Sequence, residues 1–242
     1  MLGILGGMGP LATVDFMQKV IALSQATTDQ EHMPMLVHNV PQIPDRSTCI
    51  LQGGEDPFPA LLGGLKRLEQ AGAQCIVIPC NTAHYWFSAL QEQASVRMIS
   101  IVDVVCNELS RLGIRQAGLM ATNATIAADI YKKRIQKING QCLVPDDLGQ
   151  QQVMTAIYDI KADRLEQGAQ GMEAIFNTLI DAGAEAVILG CTEIPIGLAV
   201  TAREQPQRCI DATALLARAC VDWYYSDYDH SGHHDPYQAI AA

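Results

Sequence analysis

The chain has 242 residues, of which 49% are hydrophobic and 17% are charged, and its formal net charge is −10. This composition is typical of a globular protein with one large domain or two domains of about 100 residues each. The acidic excess argues against a nucleic-acid partner, because binding to phosphates requires clustered lysine and arginine. A small anionic substrate remains compatible with this charge, since it needs only local positive groups.

The sequence has no apolar run of the about 18 residues that a membrane span requires. The start MLGILGGMGP lacks a basic segment and meets glycines within a few residues, unlike a signal peptide. We therefore expect a cytoplasmic protein with no membrane partner and with free thiols. No pair of cysteines has the C-x-x-C spacing of zinc or dithiol redox sites. The eight cysteines are at positions 49, 75, 80, 106, 142, 191, 209 and 220.

Short β-rich runs alternate with longer helical patterns along the chain. The predicted strands are 2–5, 35–40, 75–78, 98–101, 118–121, 142–144, 186–189 and 209–210. The predicted helices are 11–25, 55–71, 82–94, 103–112, 125–138, 149–160, 164–182 and 212–224. Strands separated by helix-length segments predict βαβ units and a mainly parallel sheet, which is an α/β fold.

The sequence repeats itself at a constant offset of 111 residues, which takes Ala71 to Ala182. At this offset GLKRLEQAGAQCIVIPC aligns with IFNTLIDAGAEAVILGC, and RMIS at 97–100 aligns with RCID at 208–211. One offset across three elements without a gap favours duplication over chance similarity. We therefore predict two pseudo-symmetric α/β lobes, each a mainly parallel sheet flanked by helices, with the active site in the cleft between them. The N-terminal lobe would comprise 1–98 plus 208–225, and the C-terminal lobe 99–207.

The C-terminal residues 226–242 are polar and turn-rich. Their histidines, His230, His233 and His234, could bind a metal. The composition instead favours a disordered, solvated tail.

Two cysteines occupy matched corners of the repeat. Cys80 in VIPCNTAH and Cys191 in VILGCTEI each follow a predicted strand and precede a helix. Ligands of open α/β sheets lie beyond the carboxyl ends of the strands, and the N–H groups at a helix start favour a thiolate. A lone cysteine is by default a small buried hydrophobe, which is our interpretation of the other six. The matched placement favours a function for Cys80 and Cys191.

Two thiols on opposite sides of one cleft suit a carbon that is protonated from either face. One thiolate would remove a proton and the other thiol would deliver one to the opposite side, which is racemisation or epimerisation by general acid–base catalysis. A different class of enzyme, a cysteine–histidine hydrolase, would use Cys80 with His84 as its base. A non-catalytic binding protein that kept the cleft and lost turnover is a further alternative.

Several motifs make the chain resemble the cofactor-independent aspartate/glutamate racemases, and most of all the aspartate racemases. They are GILGGMGPLAT at 3–13, PQIPDRS at 41–47, PCNTAH at 79–84, GLMAT at 118–122, the pair Tyr158-x-x-Lys161, and GCTEI at 190–194. The resemblance implies two α/β lobes with the site between them, no cofactor (pyridoxal phosphate included), no metal, and commonly a homodimer. It implies an isomerase that interconverts L- and D-aspartate, with glutamate or a broader set of amino acids as the alternative substrate.

The resemblance also implies roles for individual residues. Cys80 and Cys191 correspond to the family's catalytic pair, with Cys80 deprotonating the D-substrate and Cys191 the L-substrate. Arg46 and Lys161 would lie near the substrate carboxylates, and arginine suits a carboxylate because it can donate two parallel hydrogen bonds. The remaining implied substrate-binding residues are Met8, Gln42, Asn81, Thr82, Thr122, Thr192 and Glu193.

Two positions depart from the pattern of the relatives. Glutamate racemases usually carry histidine where this chain has Glu193, which favours the aspartate branch and removes one candidate helper base. Asn123-Ala124 replaces a common Thr-Gly, which leaves the backbone of that turn and the substrate preference open.

The glycine motif GGMGPLA also matches a dinucleotide fingerprint, Gly7-x-Gly9-x-x-Ala12. Two features oppose that interpretation: Pro10 removes an N–H from the turn, and the second predicted strand ends without an acidic residue for the ribose. We interpret the glycines as a tight turn that lets backbone approach a small substrate, with Met8 at the cleft wall.

Overall fold

The structure, a computed structural model, describes residues 1–231, with side chains to residue 226. It contains two four-stranded parallel sheets. The first comprises β1 (Leu2–Gly6), β2 (Met35–Asn39), β3 (Cys75–Val77) and β4 (Arg97–Ile99) in the order β2-β1-β3-β4. The second comprises β5 (Gln116–Met120), β6 (Gln141–Leu143), β7 (Ala186–Leu189) and β8 (Cys209–Asp211) in the order β6-β5-β7-β8. All eight predicted strands are present, and the predicted α/β class with two similar parallel sheets is confirmed.

Twelve α-helices lie within the described residues. They are α1 (Pro10–Leu23), α2 (Arg46–Gln52), α3 (Phe58–Gln70), α4 (Phe87–Gln93), α5 (Ile101–Leu112), α6 (Asn123–Ala127), α7 (Lys132–Lys137), α8 (Asp147–Lys161), α9 (Leu165–Asp181), α10 (Ile194–Gly197), α11 (Ala199–Glu204) and α12 (Ala212–Ser231). Short 3-10 helices cover Asp29–Glu31, Thr82–Trp86 and Pro206–Arg208. Within residues 1–231, no helix has the length and apolar character needed to cross a membrane.

The helices differ from the prediction in three places. The predicted helix 125–138 is two short helices, interrupted where Asp129 takes a left-handed backbone angle of φ 54°. The predicted helix 82–94 begins as the 3-10 helix Thr82–Trp86 before α4. The helices α2, α10 and α11 were not predicted, and all three are shorter than eight residues.

Side chains alternate across each sheet and pack two different cores. In β3, Val77 belongs to one buried cluster and Ile76 to another, and in β7 Ile188 and Val187 divide in the same way. This follows from the two-residue period of a strand. Because both faces are covered, the central strands are continuously apolar, as expected for parallel sheets.

One hydrophobic core joins the two sheets. It contains residues of β1 and β3 together with residues of β5 and β7, and it is completed by α5 and α12. Two further clusters pack the opposite faces of the sheets, the first against α3 and α4 and the second against α8 and α9. The shared core fixes how the carboxyl ends of the two sheets face one another.

The C-terminal segment differs from the predicted lobe boundary. We assigned residues 208–225 to the N-terminal lobe, but β8 pairs in parallel with β7 of the second sheet. The helix α12 packs against α1 and α5. The repeat explains the strand's position, because RCID at 208–211 aligns with β4, the edge strand of the first sheet. Residues 226–231 continue α12, and the rest of the predicted tail, 232–242, lies outside the described residues.

Candidate active site

The structure brings the two matched cysteines to one cavity. Cys80 lies three residues beyond β3, and Cys191 lies two residues beyond β7. Both are buried, with 5% and 6% of their surface exposed, and both line the same cavity. Because β3 and β7 hold equivalent places in the two sheets, the two thiols approach this cavity from different sheets.

The cavity is narrow. It offers about 30 Å³ to the centre of a water molecule, which is room for about two waters. A wider cavity of about 410 Å³ adjoins it and shares five of its lining residues. An amino acid therefore requires the narrow cavity to widen. The shared residues are Met8, Asp45, Arg46, Tyr158 and Lys161.

A hydrogen bond from the second lobe orients the side-chain amide of Asn81. The hydroxyl of Tyr131, which is fully buried, donates to Asn81 Oδ1. Asn81 Nδ2 is buried and has no hydrogen-bond partner among residues 1–231. Asn81 lines the narrow cavity and is 2% exposed, so this N–H₂ group is a donor available to a ligand.

Three threonine hydroxyls form a closed triangle beside the cavity. Thr82 Oγ1 lies 3.0 Å from both Thr122 Oγ1 and Thr125 Oγ1, and the last two are also 3.0 Å apart. Thr122 also caps α6, because its hydroxyl accepts from the backbone N–H of Thr125 at 3.2 Å. The triangle links the loop after β3 to the loop after β5, and Thr82 and Thr122 line the cavity.

Arg46 is the first residue of α2, which is capped by Asp45. Its Nη1 donates to the carbonyls of Ile43 and Pro44 at 3.1 and 3.0 Å, which holds the guanidinium in place. Its Nε is buried without a partner within the described part of the chain. Arg46 therefore presents a fixed cation, with a spare donor, to both cavities.

Lys161, the last residue of α8, is paired with a carboxylate of the protein. Its Nζ donates to Glu193 Oε1 at 2.7 Å, and only 2% of the Glu193 side chain is exposed. Burial lowers the pKa of Lys161, but Glu193 together with Cys191 and Cys80 outweighs this effect, and the pKa lies above its ordinary value. In this structure Lys161 thus forms an ion pair with Glu193. It also lines the cavity.

Cys191 is held as a thiol by the same carboxylate. Its Sγ donates to Glu193 Oε2 at 3.0 Å. Burial and the negative charge of Glu193 raise the pKa of Cys191 well above its ordinary value, although Lys161 opposes this. The expectation that a helix start favours a thiolate is therefore wrong for Cys191. The helix that follows, α10, has only four residues, and burial and the Glu193 carboxylate both favour the thiol.

His84 is not placed to act as the base of Cys80. Its Nε2 accepts from the backbone N–H of Ile101 at 3.0 Å, so Nδ1 carries the proton and donates to the Cys80 carbonyl at 2.8 Å. Burial lowers the pKa of His84 to about 4. Both ring nitrogens are used by backbone groups, which removes the pairing that a cysteine–histidine hydrolase needs.

Most of the residues predicted for the site lie together. Met8, Arg46, Cys80, Asn81, Thr82, Thr122, Lys161, Cys191 and Thr192 all line the narrow cavity. Glu193 lines the adjoining cavity and contacts the site through its bonds to Cys191 and Lys161. Gln42 is exposed and lines neither of these two cavities.

The structure adds residues that the sequence analysis did not select for the site. Five of them line the narrow cavity: Asp45, Ser47, Met154, Ile157 and Tyr158. Tyr158 was part of a quoted motif but was given no role. Tyr131 and Thr125 form hydrogen bonds with Asn81 and Thr82, and no local pattern marks them.

All eight cysteines are free thiols, as predicted. Residues 1–231 contain no cluster of three or more His, Cys, Asp or Glu that could hold a metal ion.

Two buried thiols that line one cavity, each beyond the carboxyl end of a strand in a different parallel sheet, suit proton transfer at a carbon and hence a racemase. The sequence model of the Asp/Glu/Hydantoin racemase family matches residues 5–220. The chain therefore belongs to the Asp/Glu/Hydantoin racemase family. It is an isomerase, an amino-acid racemase of the pyridoxal-phosphate-independent type.

Individual relatives agree with this placement. The broad specificity amino-acid racemase RacX of Bacillus subtilis (strain 168) is 32% identical over 230 residues, which cover 93% of this chain and 98% of that protein. The structure of the Picrophilus torridus aspartate racemase superimposes with a TM-score of 0.84 at 31% identity, covering 93% of this chain and 94% of that chain. An aspartate racemase homologue from Pyrococcus horikoshii OT3 gives a TM-score of 0.73 at 26% identity, covering 93% and 98% of the two chains.

Proposed function

We propose that the protein interconverts L- and D-aspartate, with Cys80 and Cys191 as the two proton-transferring groups. The observation that carries the proposal is that both thiols line one buried cavity that also contains Arg46 and the unpartnered amide of Asn81. A dicarboxylic substrate needs a cation and N–H donors in an otherwise acidic protein. The aspartate racemase of Picrophilus torridus, at 31% identity, supports aspartate as the substrate.

The proposed reaction moves one proton onto the enzyme and another off it. A thiolate on one side takes the α-hydrogen of the substrate and becomes a thiol, while the electron pair of the C–H bond passes into the carboxylate. The thiol on the other side then protonates the planar carbon and becomes a thiolate. The product is the opposite enantiomer, and the enzyme ends with the proton on the other cysteine.

The α-hydrogen is a very weak acid, so the negative charge that develops on the substrate carboxylate must be stabilised. Preorganised donors are the strongest means of doing this in a water-poor site. The fixed guanidinium of Arg46 and the buried N–H₂ of Asn81 are suited to this task. The family resemblance gives Cys80 to the D-substrate and Cys191 to the L-substrate, and we retain this assignment in the proposal.

A broader amino-acid range is the second candidate, and the 32% identity to a broad specificity racemase favours it. A catalytically inactive binding protein is the third, and the presence of both thiols in the cavity argues against it. The hydrolase alternative loses support because both nitrogens of His84 are engaged. The homodimer and the cytoplasmic location stay predictions.

The first experiment is a proton NMR time course of L-aspartate with the pyridoxal-free protein in D₂O, followed by chiral chromatography of the same sample. We expect the α-proton signal to disappear and D-aspartate to accumulate to an equal mixture. Cys80→Ser and Cys191→Ser should each lower racemisation by at least about 100-fold, the effect of losing an acid–base group. Cys209→Ser, a matched change outside the cavity, should retain the wild-type rate.

Three results would redirect the proposal. Retention of both the α-proton and the handedness of aspartate, with turnover of other amino acids, would favour the broader racemase. Binding of aspartate without any proton exchange, across glutamate and a wider panel as well, would favour the binding protein. Wild-type racemisation by either serine variant would rule out the two-thiol mechanism.

A further inference from the structure

The two thiols have different neighbours at matched positions of the repeat. The offset of 111 residues that aligns Cys80 with Cys191 also aligns Thr82 with Glu193. Thr82 carries a neutral hydroxyl, which forms hydrogen bonds within the threonine triangle. Glu193 carries a carboxylate and shares it between the Cys191 thiol at 3.0 Å and the Lys161 ammonium at 2.7 Å. The duplicated backbone therefore supports two chemically different corners.

A buried carboxylate that accepts a hydrogen bond from a thiol stabilises the protonated thiol. A thiolate at Cys191 would lie 3.0 Å from Glu193 Oε2, where two negative charges repel. The ammonium of Lys161 lies 2.7 Å from the other oxygen of Glu193 and pairs with this buried carboxylate. Cys191, Glu193 and Lys161 form a trio of side chains. Their contacts fit a thiol on Cys191, a carboxylate on Glu193 and an ammonium on Lys161.

We propose that Glu193, paired with Lys161, is a positioning residue that fixes the resting proton on Cys191, so that in the free enzyme Cys191 is the proton donor and Cys80 is the proton acceptor. This proposal rests on the two-thiol function proposed above and deepens it. A two-base site works only when one thiol is protonated and the other is not. Glu193 supplies that difference at a site whose fold is otherwise duplicated.

Other charged or ionisable groups face Cys191 from the surrounding elements. Lys161 comes from α8 and the phenol of Tyr131 comes from the loop before α7, and Cys80 lines the same cavity. Asp45 and Arg46, at the start of α2, also line this cavity. Tyr131 stays neutral, since burial raises its pKa well above the ordinary value. Glu193 differs from the other anionic groups because it accepts a hydrogen bond from the Cys191 thiol.

The proposal predicts opposite effects for the two charged partners of the trio. Glu193→Gln removes the repelling charge and leaves Lys161 to stabilise a thiolate, so the midpoint of Cys191 alkylation should move down by about one to three pH units. At pH 8, alkylation of Cys191 should be at least about tenfold faster, the effect of one pH unit. Lys161→Met removes the cation and should slow alkylation at pH 9 by at least about threefold.

The measurement is the rate of iodoacetamide alkylation against pH, followed by mass spectrometry. Cys191 is the only cysteine between Arg164 and Arg203, so one tryptic peptide reports on it alone. Glu204→Gln, at an exposed carboxylate outside the site, is the matched control and should leave the profile unchanged. In parallel, the high-pH limb of kcat/KM for racemisation should move down in Glu193→Gln and should not move in Glu204→Gln.

Shifts of the same sign in Glu193→Gln and Lys161→Met, or no shift in Glu193→Gln, would overturn the proposal. If Glu193→Gln fails a circular dichroism melt, the sign of the Lys161→Met effect decides, because a faster reaction there contradicts the trio. The alkylation readout needs no turnover. If both variants show the predicted alkylation shifts but the wild-type protein racemises no amino acid, the proposed function is refuted while the resting state of the Cys191 thiol is established.

Discussion

At the scale of single residues, the donor that Asn81 offers to a ligand depends on a residue 50 positions away in the chain. An amide can present either its oxygen or its nitrogen, and the hydroxyl of Tyr131 decides between them by donating to Oδ1. Burial keeps this phenol neutral, because it raises the pKa of Tyr131 well above the ordinary value. The orientation of the amide should therefore persist over the whole working pH range.

Removing this hydroxyl should weaken both the fold and substrate binding. Tyr131→Phe leaves Asn81 Oδ1 buried and unpaired, which costs about 1–2 kcal/mol of unfolding free energy. The amide can then rotate, and KM for aspartate should rise about five- to tenfold with a smaller change in kcat. Steady-state kinetics and urea unfolding measure the two effects.

Tyr225→Phe provides the control, because Tyr225 also donates one hydroxyl hydrogen bond, at 2.9 Å to the carbonyl of Glu31, far from the cavity. It should lower the stability slightly and leave KM unchanged. Equal effects of the two variants on KM would show that Tyr131 acts on the site only through general stability.

Site residues that a local pattern marks could be predicted from the sequence, and site residues that only the fold brings near could not. Cys80 and Cys191 were found because a repeat placed both at strand ends, and both line the cavity. Tyr131 and Thr125 were missed, because their contacts with Asn81 and Thr82 join segments 50 and 43 residues apart. The pairing of Lys161 with Glu193 likewise spans 32 residues and could not be read from either motif.

At the scale of elements, the turn between β1 and α1 brings backbone against backbone. Gly7 has φ +99°, and a Cβ added there would lie 2.4 Å from the backbone of Val40. A side chain at position 7 is thus excluded by the positive φ angle and by the overlap with the backbone of Val40. The same turn carries Met8 and Gly9 to the adjoining cavity, so its geometry bears directly on the site.

Gly7→Ala should destabilise the protein strongly and impair the site. The positive φ costs about 1–2 kcal/mol for a non-glycine residue, and the backbone overlap adds about 1–3 kcal/mol more. Gly113→Ala isolates the first contribution, because Gly113 has φ +72° with nothing within 4 Å of the added Cβ. Urea unfolding of the two variants gives the comparison. Similar losses in both would mean that the turn relaxes around the added methyl group.

The helix α2 was missed although it positions Arg46. Its boundaries carry ordinary signals, with Asp45 accepting from the Thr48 N–H at 2.7 Å at the start and Gly53 in the left-handed conformation at the end. At seven residues it is shorter than the periodic pattern that sequence reasoning relies on. Capping residues would have located it. The long helices and apolar strands were predicted because their periodicity extends over many residues.

At the scale of the whole molecule, one core is shared by both sheets, so the lobes should unfold together. A buried neutral histidine then makes the stability of the whole fold depend on pH. Burial lowers the pKa of His84 from 6.5 to about 4 in the folded state. Between these values the unfolded chain binds a proton that the folded chain does not, so stability falls as the pH drops through this window.

From pH 7 to pH 5, this single group should lower the unfolding free energy by about 2 kcal/mol. His84→Gln should remove that part of the pH dependence, which thermal melts from pH 5 to pH 8 measure. Phe87→Leu, which disturbs the ring stacked on His84 at 4.9 Å without removing a titratable group, should be destabilised yet keep the wild-type slope. An unchanged slope in His84→Gln would contradict the assignment of this effect to His84.

Thr82 and Glu193 make the two sides of the site chemically different. The equal free energies of two enantiomers limit what this difference can change. L- and D-aspartate have identical free energies in water, so no asymmetry of the protein can move their equilibrium away from an equal mixture. The ratio of kcat/KM in the two directions must therefore equal one, in the wild type and in every active variant. Glu193 can alter the fraction of free enzyme that is in the protonation form that accepts each enantiomer. At high substrate concentration, the return of the enzyme from one protonation form to the other can then limit turnover.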